Sequence, residues 1–287
     1  MAYVIKKLTT VTSEENSQMQ KLIEICNRID KTSYSYFADD CFKDEDDINT
    51  FFLYDKQKLV SAISLFTPRS CETEVLAYTH PDYRKKGLFT MLIAEAASEL
   101  KRRGVDDFLF VCDRKSKSSI AVLSHLGAEY QYSEYSMRLN KGKFAPCGKI
   151  PDLEIRPVKA EDREELARIN SEAFHESFED SLVFIDEFFT SGRRQFHTLV
   201  YQSRIAGMIG VYIEDVRFYL HGICVDRSLR GKGIGKGALS FAVEKYSSPS
   251  MSIDLDVRAD NEDAFALYLK TGFEIVSVLD YLKLTLT

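Results

Sequence analysis

Residues 230–235 read Arg-Gly-Lys-Gly-Ile-Gly and follow an apolar run, RFYLHGICV (217–225). The run predicts a β-strand, and the residues after the glycines predict a helix with one buried face. That prediction rests on apolar side chains that recur every four residues, at Ile234, Ala238, Ala242 and Tyr246. The first backbone N–H groups of a helix are unpaired and carry partial positive charge, so this strand-to-helix turn predicts an anion site.

Two other phosphate-binding motifs are excluded. The P-loop pattern GxxxxGK[ST] is absent. Residues 233–238 satisfy GxGxxA, and Asp254 follows at the spacing of a dinucleotide fingerprint. A dinucleotide-binding fold needs several more crossovers after its motif, whereas one helix and about three strands fit before Thr287. The turn therefore predicts a pyrophosphate site of another kind, with Arg230 and Lys232 adding positive charge.

The segments around this turn predict an α/β unit. Helices are expected over 161–174 and 181–189, a hairpin over 195–214, and a strand over 252–257. Asn261 has the residue type of a helix N-cap, and Gly272 suits the end of the same helix. We expect that helix to bury Tyr268 and two closing strands to follow it.

The same plan occurs twice in the chain. YRKKGLF (83–89) matches LRGKGIG (229–235) at an offset of 146, and VLSHLGAEY (122–130) matches LYLKTGFEI (267–275) at an offset of 145. Two signals with nearly one offset indicate a duplicated unit, much longer than a solenoid repeat.

Between the two copies lies KGKFAPCGKIP (141–151), a segment rich in Pro, Gly and Lys that predicts a connection. We therefore predict domains at 1–140 and 152–287 with a linker at 141–151, each domain built on a mixed α/β sheet.

Arg230-x-x-Gly233-x-Gly235, followed by LDVRADNEDAFALYLKTGF (255–273), resembles the acyl-CoA-binding core of the Gcn5-related N-acetyltransferase (GNAT) superfamily, and the whole chain resembles a tandem acetyltransferase. The resemblance implies acetyl-CoA as cosubstrate, main-chain contacts to its pantetheine arm from the strand, and a pyrophosphate cradle at the turn. It also implies that Asn261 and Ala264 line the far side of the arm and that Tyr268 lies next to the thioester sulfur. The implied coenzyme-binding residues are Ile223, Cys224, Val225, Arg230, Gly231, Lys232, Gly233, Ile234, Gly235, Lys236, Asn261, Ala264 and Tyr268.

Direct acyl transfer requires two proton movements. The attacking ammonium must lose a proton, and the departing thiolate is best protonated as it leaves. Tyr268 is the predicted general acid. Asp256, His221 and Glu214 are three open alternatives for the base, beside an ordered water chain; His221 is considered because an ordinary histidine titrates near neutral pH.

The first copy departs from the pattern. Phe89 replaces the last glycine of the turn, Ser116 replaces the asparagine and Leu123 replaces the tyrosine, whereas Arg84 and Gly87 remain. Leucine has no proton to donate. We therefore expect the first domain to be catalytically degenerate.

Composition narrows the class of protein. A net charge of −6 disfavours a nucleic-acid partner, and no apolar run approaches a membrane span. The cysteines and histidines have no metal-ligand spacing, so no metal is predicted, and scattered single thiols suggest the cytoplasm. The acidic run at 39–47 is expected to be a solvated surface.

The sequence thus predicts an N-acetyltransferase that carries an acetyl group from acetyl-CoA to a primary amine, a small molecule or a peptide, in its C-terminal domain. The alternative is a non-catalytic acyl-CoA-binding, sensing or scaffold protein. The acceptor is left open among a polyamine, an amino acid, an aminoglycoside and a protein N-terminus. A homodimer is also left open.

Overall fold

The computed structural model describes residues 3–33, 47–69, 72–186, 189, 194–213 and 217–285. Glu214 and most of the acidic run at 39–47 lie outside these residues. The chain divides into two compact units: unit 1 comprises Met1–Glu134 and Ser277–Thr287, and unit 2 comprises Tyr135–Val276.

Unit 1 follows the predicted order of helices and strands, except that an additional strand precedes its first helix. It contains β1 (Tyr3–Leu8), α1 (Ser13–Asp30), β2 (Thr50–Asp55), β3 (Lys58–Arg69), β4 (Glu72–Thr79), α2 (Leu88–Arg102), β5 (Asp107–Asp113) and α3 (Lys117–His125). Its first four strands pair antiparallel in sequence order, and β4 then pairs parallel with β5. Its main core includes Phe51, Ile63, Leu92 and Phe108, each almost fully buried.

Unit 2 repeats this plan. It contains β7 (Leu153–Pro157), α4 (Arg163–Phe174), α5 (Phe178–Asp186), β8 (Arg194–Tyr201), β9 (Arg204–Ile213), β10 (Arg217–Val225), α6 (Ile234–Tyr246), β11 (Ser252–Arg258) and α7 (Glu262–Thr271). Strands β7 to β10 pair antiparallel, and β10 pairs parallel with β11. The mixed α/β sheet predicted for each copy is therefore confirmed.

Two strands cross the boundary between the sequence halves. β6 (Glu129–Leu139) enters unit 2 at Tyr135, and β12 (Phe273–Thr285) enters unit 1 at Ser277. The prediction of two closing strands is wrong, because β12 is one strand of 13 residues. Each compact unit thus differs from a simple half of the chain: it includes a strand from the other half, as well as residues 141–151 in the case of unit 2.

The part of β6 that lies in unit 2 is stabilised by apolar burial, and the part of β12 that lies in unit 1 is stabilised by strand pairing and an ion pair. In unit 2, Met137 and Leu139 of β6 are almost fully buried in the main core, and burial of such a side chain contributes about 1.5–3 kcal/mol. In unit 1, residues 279–285 of β12 pair antiparallel with β5. The Asp280 carboxylate there accepts hydrogen bonds from Arg114 at 2.6 and 3.0 Å and from Ser133 at 2.7 Å.

We expect the Asp280→Asn variant to lose about 1–3 kcal/mol of the stability of unit 1, because it removes a charge-assisted pair on a largely buried carboxylate. The measurement is the loss of amide-exchange protection in β5. The matched control is Glu274→Gln, whose exposed pair with Lys143 contributes at most about 1 kcal/mol. Equal effects of the two changes would contradict the prediction that the Asp280 ion pair stabilises unit 1.

Candidate functional site

The candidate site of unit 2 begins where two parallel strands separate. The pairing of β10 with β11 runs only from Arg217 with Ser252 to Leu220 with Leu255. Beyond Leu220 the main chain of β10 has no paired residue on β11, so its polar groups on that side are left for another partner. Ile223 and Val225, two of the predicted main-chain contacts, lie on this stretch.

A β-bulge lies on the same stretch of β10. His221 pairs with Gly210, and the next pair joins Cys224 to Met208, so two residues of β10 oppose one of β9. Gly222, with φ of 57°, takes the left-handed conformation that the bulge requires. Cys224 itself is buried in a cluster with α4, and burial raises its thiol pKa to about 12.

The glycine-rich turn follows β10 directly. Arg230 donates from Nε to the carbonyl oxygen of Val225 at 3.2 Å. Its two terminal nitrogens have no hydrogen-bond or ion-pair partner among the described residues, so they are available to an anion. Gly233 has φ of 82° and stands at the N-cap of α6, whose first intrahelical bond runs from Gly237 N to Gly233 O at 2.9 Å.

The amides of Ile234, Gly235 and Lys236 precede that first intrahelical bond, so they have no acceptor within the helix, and the pyrophosphate cradle at 231–236 stays a prediction. Ile234 is buried and contributes its main chain only. A side chain built on Gly231 would meet no heavy atom within 4 Å, so the turn has open space there. Lys232 Nζ lies 5.3 Å from the centre of the Tyr201 ring.

The base of the turn is anchored by a second set of charges. Asp226 accepts from Ser228 N at 2.8 Å and from the Arg168 guanidinium at 2.6 Å. Hydrogen bonds from Ser228 and Arg168 lower the pKa of Asp226 to about 2, so it is ionised at neutral pH. The Asp226 carboxylate pairs with Arg168 of α4 and not with Arg230. It therefore leaves the positive charge of Arg230 unpaired.

Helix α7 places the remaining predicted residues. The Asn261 side chain caps the helix by accepting from Ala264 N at 3.2 Å, as predicted from its residue type. Tyr268 is 6% exposed, and its ring packs 5.9 Å from that of Phe273. Its hydroxyl makes no hydrogen bond within the described part of the chain. Burial raises the pKa of Tyr268 above its ordinary value, so the hydroxyl keeps its proton.

His221 lies among aromatic rings. This environment counts against His221 as a base that titrates near neutral pH. Its ring centre is 4.9 Å from that of Phe196 and 6.3 Å from that of Tyr219. Burial lowers the pKa of His221 to about 3, so the imidazole is neutral but weakly basic in the folded protein. The expectation that His221 titrates near neutral pH is therefore wrong, while its place in the site stays a prediction.

Asp256 has the opposite shift. Burial raises its pKa above the usual range, and hydrogen bonds from Tyr219 and Ser136 act against that rise. The Tyr219 hydroxyl donates to Asp256 Oδ2 at 2.8 Å. Among the described alternatives for the base, Asp256 is the group whose environment makes it a stronger proton acceptor than usual.

Unit 1 keeps the framework of this site but changes its charges. Arg84 donates from Nε to Thr79 O at 3.1 Å, which matches Arg230 and Val225 at the offset of 146. Its terminal nitrogens, however, donate to both oxygens of Asp30 at 2.8 and 2.6 Å. The arginine whose terminal nitrogens are available in unit 2 is thus paired with a carboxylate in unit 1.

Comparison with known proteins also finds two copies of one unit in the chain. The family model described as "Acetyltransferase (GNAT) family" matches residues 13–128 and 163–273, more than half of the chain. The chain therefore belongs to the GNAT acetyltransferase family, with the family unit present twice.

Solved structures support the tandem fold. A GCN5-related N-acetyltransferase from Sphaerobacter thermophilus matches with a TM-score of 0.77 and 17% identity over 99% of this chain and 95% of that one. A tandem GNAT protein from the clavulanic acid biosynthesis pathway matches with a TM-score of 0.72 and 14% identity over 99% and 98%. At these identities the likeness shows the fold alone.

One curated relative shares a short segment. An uncharacterized protein of Mycobacterium leprae (strain TN) is 39% identical over 61 residues, which are 21% of this chain and 16% of that protein. The match spans less than a fifth of the relative's length, so it says nothing about the activity of the whole chain.

Two kinds of feature are absent from the described residues. No described helix has the length and apolar character needed to cross a membrane. Within the same residues, no group of three or more His, Cys, Asp or Glu side chains is placed to hold a metal ion.

Sequence reasoning missed two features that shape the site. The bulge in β10 had a signal, since a glycine inside a strand pattern, here Gly222, is typical of a bulge. The neutralisation of Arg84 had none, because Asp30 is 54 residues away and only the packing of α1 brings it to the turn.

We expect the Tyr219→Phe variant to raise the pKa of Asp256, because it removes a hydrogen bond that favours the ionised carboxylate. The measurement is a pH titration of the Asp256 carboxyl carbon by ¹³C NMR. Tyr246→Phe is the control, since the Tyr246 hydroxyl contacts His197 at 3.1 Å instead. An unchanged titration in Tyr219→Phe would show that the bond does not act in solution.

Proposed function

We propose that unit 2 transfers an acetyl group from acetyl-CoA to a primary amine. The observation that carries this proposal is the contrast between two equivalent arginines. Arg230 leaves both terminal nitrogens for an anion beside the first amides of α6, whereas Arg84 of unit 1 is paired with Asp30. The turn of unit 2 therefore offers a pyrophosphate a guanidinium that is not paired with a carboxylate of the described residues.

The residues of unit 2 fit a coenzyme of this shape. Arg230 and the amides of 234–236 supply donors for the pyrophosphate, and the main chain of Ile223 and Val225, which has no paired residue on β11, supplies a strand edge for the pantetheine arm. Asn261 and Ala264 begin the helix on the far side of that arm. When bound, acetyl-CoA supplies an acyl carbon activated by its thioester.

The proton movements are assigned to two side chains with opposite shifts. Asp256, whose raised pKa makes it a better acceptor, takes a proton from the acceptor ammonium and leaves a nitrogen lone pair free to attack. Tyr268 donates its phenolic proton to the departing sulfur, and its raised pKa keeps that proton in place until it is needed. Tyr219 positions the Asp256 carboxylate through its 2.8 Å hydrogen bond.

His221 is assigned a structural role in this proposal. A base with a pKa of about 3 captures a proton from an ammonium only weakly. Its neutral ring instead packs against Phe196 and Tyr219 and helps form the wall next to the bulge. The acceptor's identity, the cytoplasmic location and a homodimer remain predictions from the sequence.

We expect the Tyr268→Phe variant to lower kcat by about 100-fold, because it removes the proton donor while keeping the ring in the core. Affinity for acetyl-CoA should stay nearly constant, since the hydroxyl adds little to ground-state binding. Thiol release with a panel of amines gives kcat, and calorimetry gives the dissociation constant. Unchanged turnover would remove Tyr268 as the acid.

No thiol release from the wild-type protein with any amine, while acetyl-CoA still binds, would favour the alternative of a non-catalytic acyl-CoA-binding protein.

We expect the Arg230→Ala variant to weaken acetyl-CoA binding by about 10- to 100-fold, which corresponds to the loss of one or two charge-assisted hydrogen bonds. Arg84→Ala is the matched control and should leave the affinity unchanged, because Arg84 is already paired with Asp30. Titration calorimetry measures both variants. A larger effect from Arg84→Ala would place the coenzyme in unit 1.

If Asp256 is the base, activity falls as the pH drops through its pKa, because only the ionised carboxylate accepts a proton. The Tyr219→Phe variant should therefore move the acidic limb of the kcat profile to higher pH. A pH–rate profile at saturating acetyl-CoA measures the shift. A limb that stays in place would show that another group accepts the proton.

A further inference from the structure

Unit 1 contains a cavity of about 530 Å³ at the place where its own parallel strands separate. β4 and β5 pair only from Thr73 with Phe108 to Val75 with Phe110. The volume lies in the range of pockets for small organic ligands. Its walls are mainly apolar and include Leu76, Phe89, Phe110, Ala121 and Val122.

The charges around this cavity do not suit a phosphate. Arg84 lies in the wall, but both of its terminal nitrogens donate to Asp30, and Nη1 also donates to Ser118 at 3.2 Å. Phe89 fills the position of Gly235 in unit 2, and its ring packs 6.1 Å from that of Phe110. Lys85, another basic side chain of the wall, is exposed to solvent.

One acidic group of the wall is not compensated. Asp113, at the end of β5, is 7% exposed. Its Oδ1 accepts from Lys115 N at 2.9 Å, but its buried Oδ2 has no hydrogen-bond partner in the described structure. The neighbouring residue Arg114 donates to Asp280 instead. A buried carboxylate without a cation is unfavourable, so this group favours a donor that arrives with a ligand.

Among the described residues, the other titratable groups near Asp113 add no positive charge. Burial raises the pKa of Cys26 to about 11 and that of Cys112 to about 12, so both thiols are neutral at pH 7. Burial, with Cys26 and Asp113 nearby, also raises the pKa of Tyr78, so its hydroxyl stays protonated. His125, on the outer wall, is exposed. The uncompensated charge of the cavity is therefore negative.

We propose that this cavity of unit 1 binds a small organic monocation, an ammonium with an apolar or aromatic body, whose N–H groups pair with the Asp113 carboxylate. The body packs against the apolar wall formed by Leu76, Phe110 and Val122. This site is separate from the coenzyme site proposed in unit 2 and does not depend on catalysis there.

The test uses three probes of one shape: 2-phenylethylammonium, the neutral 2-phenylethanol and the anionic 3-phenylpropionate. Each is titrated into the full chain without acetyl-CoA, and amide shifts are followed by NMR. We expect 2-phenylethylammonium to bind at least 10-fold more tightly than the alcohol, with shifts in β4, β5 and α3. We expect the anion not to bind there.

Asp113→Asn should abolish the preference for the ammonium, whereas Asp106→Asn, an exposed aspartate outside the cavity wall, should keep it. Ala121→Phe places a ring at an exposed helical position of the wall and should weaken the binding of the ammonium and the alcohol alike. If Asp113→Asn does not fold, the wild-type comparison of probes and Ala121→Phe still decide.

Equal affinity for the ammonium and the alcohol, an unchanged preference in Asp113→Asn, or shifts confined to unit 2 would each overturn the proposal. Displacement of 2-phenylethylammonium from β4 and β5 by coenzyme A, with Arg230→Ala as the protein, would also overturn it, because the cavity would then accept a phosphorylated ligand.

Discussion

In each unit, two parallel strands pair over only a few residues, and the proposed ligand sites depend on this limited pairing. In unit 2 the strands β10 and β11 pair over four residues of each and then separate, and in unit 1 β4 and β5 pair over three. Beyond the last pair, the main chain of each strand has no paired residue on its parallel neighbour, and a helix begins beside each opening with its own unpaired amides. Every feature assigned to a ligand in this protein lies at one of these two openings.

What differs between the openings is the partner of one arginine. Arg84 and Arg230 are both fixed through Nε to a carbonyl oxygen at the end of the preceding strand. Asp30 then takes the remaining nitrogens of Arg84, while those of Arg230 stay available. A single carboxylate at the end of α1 is enough to change an anion site into a site without net positive charge, because the bidentate pair balances the charge of the guanidinium and occupies both of its terminal nitrogens.

Burial shifts the pKa values of three titratable groups of unit 2 in different directions. The same loss of solvent raises the pKa of Asp256 and of Tyr268 and lowers that of His221, because in each case the charged form loses its hydration. A carboxylate becomes a better base, a phenol keeps its proton, and an imidazole becomes a neutral ring. Residue type alone left Asp256, His221 and Glu214 open as the base, and the environment favours Asp256 over His221.

The sequence by itself determined the local features: the glycine-rich turn after β10, the cap at Asn261, most of the helices and strands of each copy, and the duplication that relates Arg84 to Arg230. These follow from periodicity, capping chemistry and spacing, which act over a few residues. Only the tertiary structure decided the pairing of Arg84 with Asp30, the burial of His221, and the exchange of β6 and β12 between the units. Those depend on residues up to 166 positions apart, such as Arg114 and Asp280, and no local pattern encodes which distant side chain will remove a charge or exclude water.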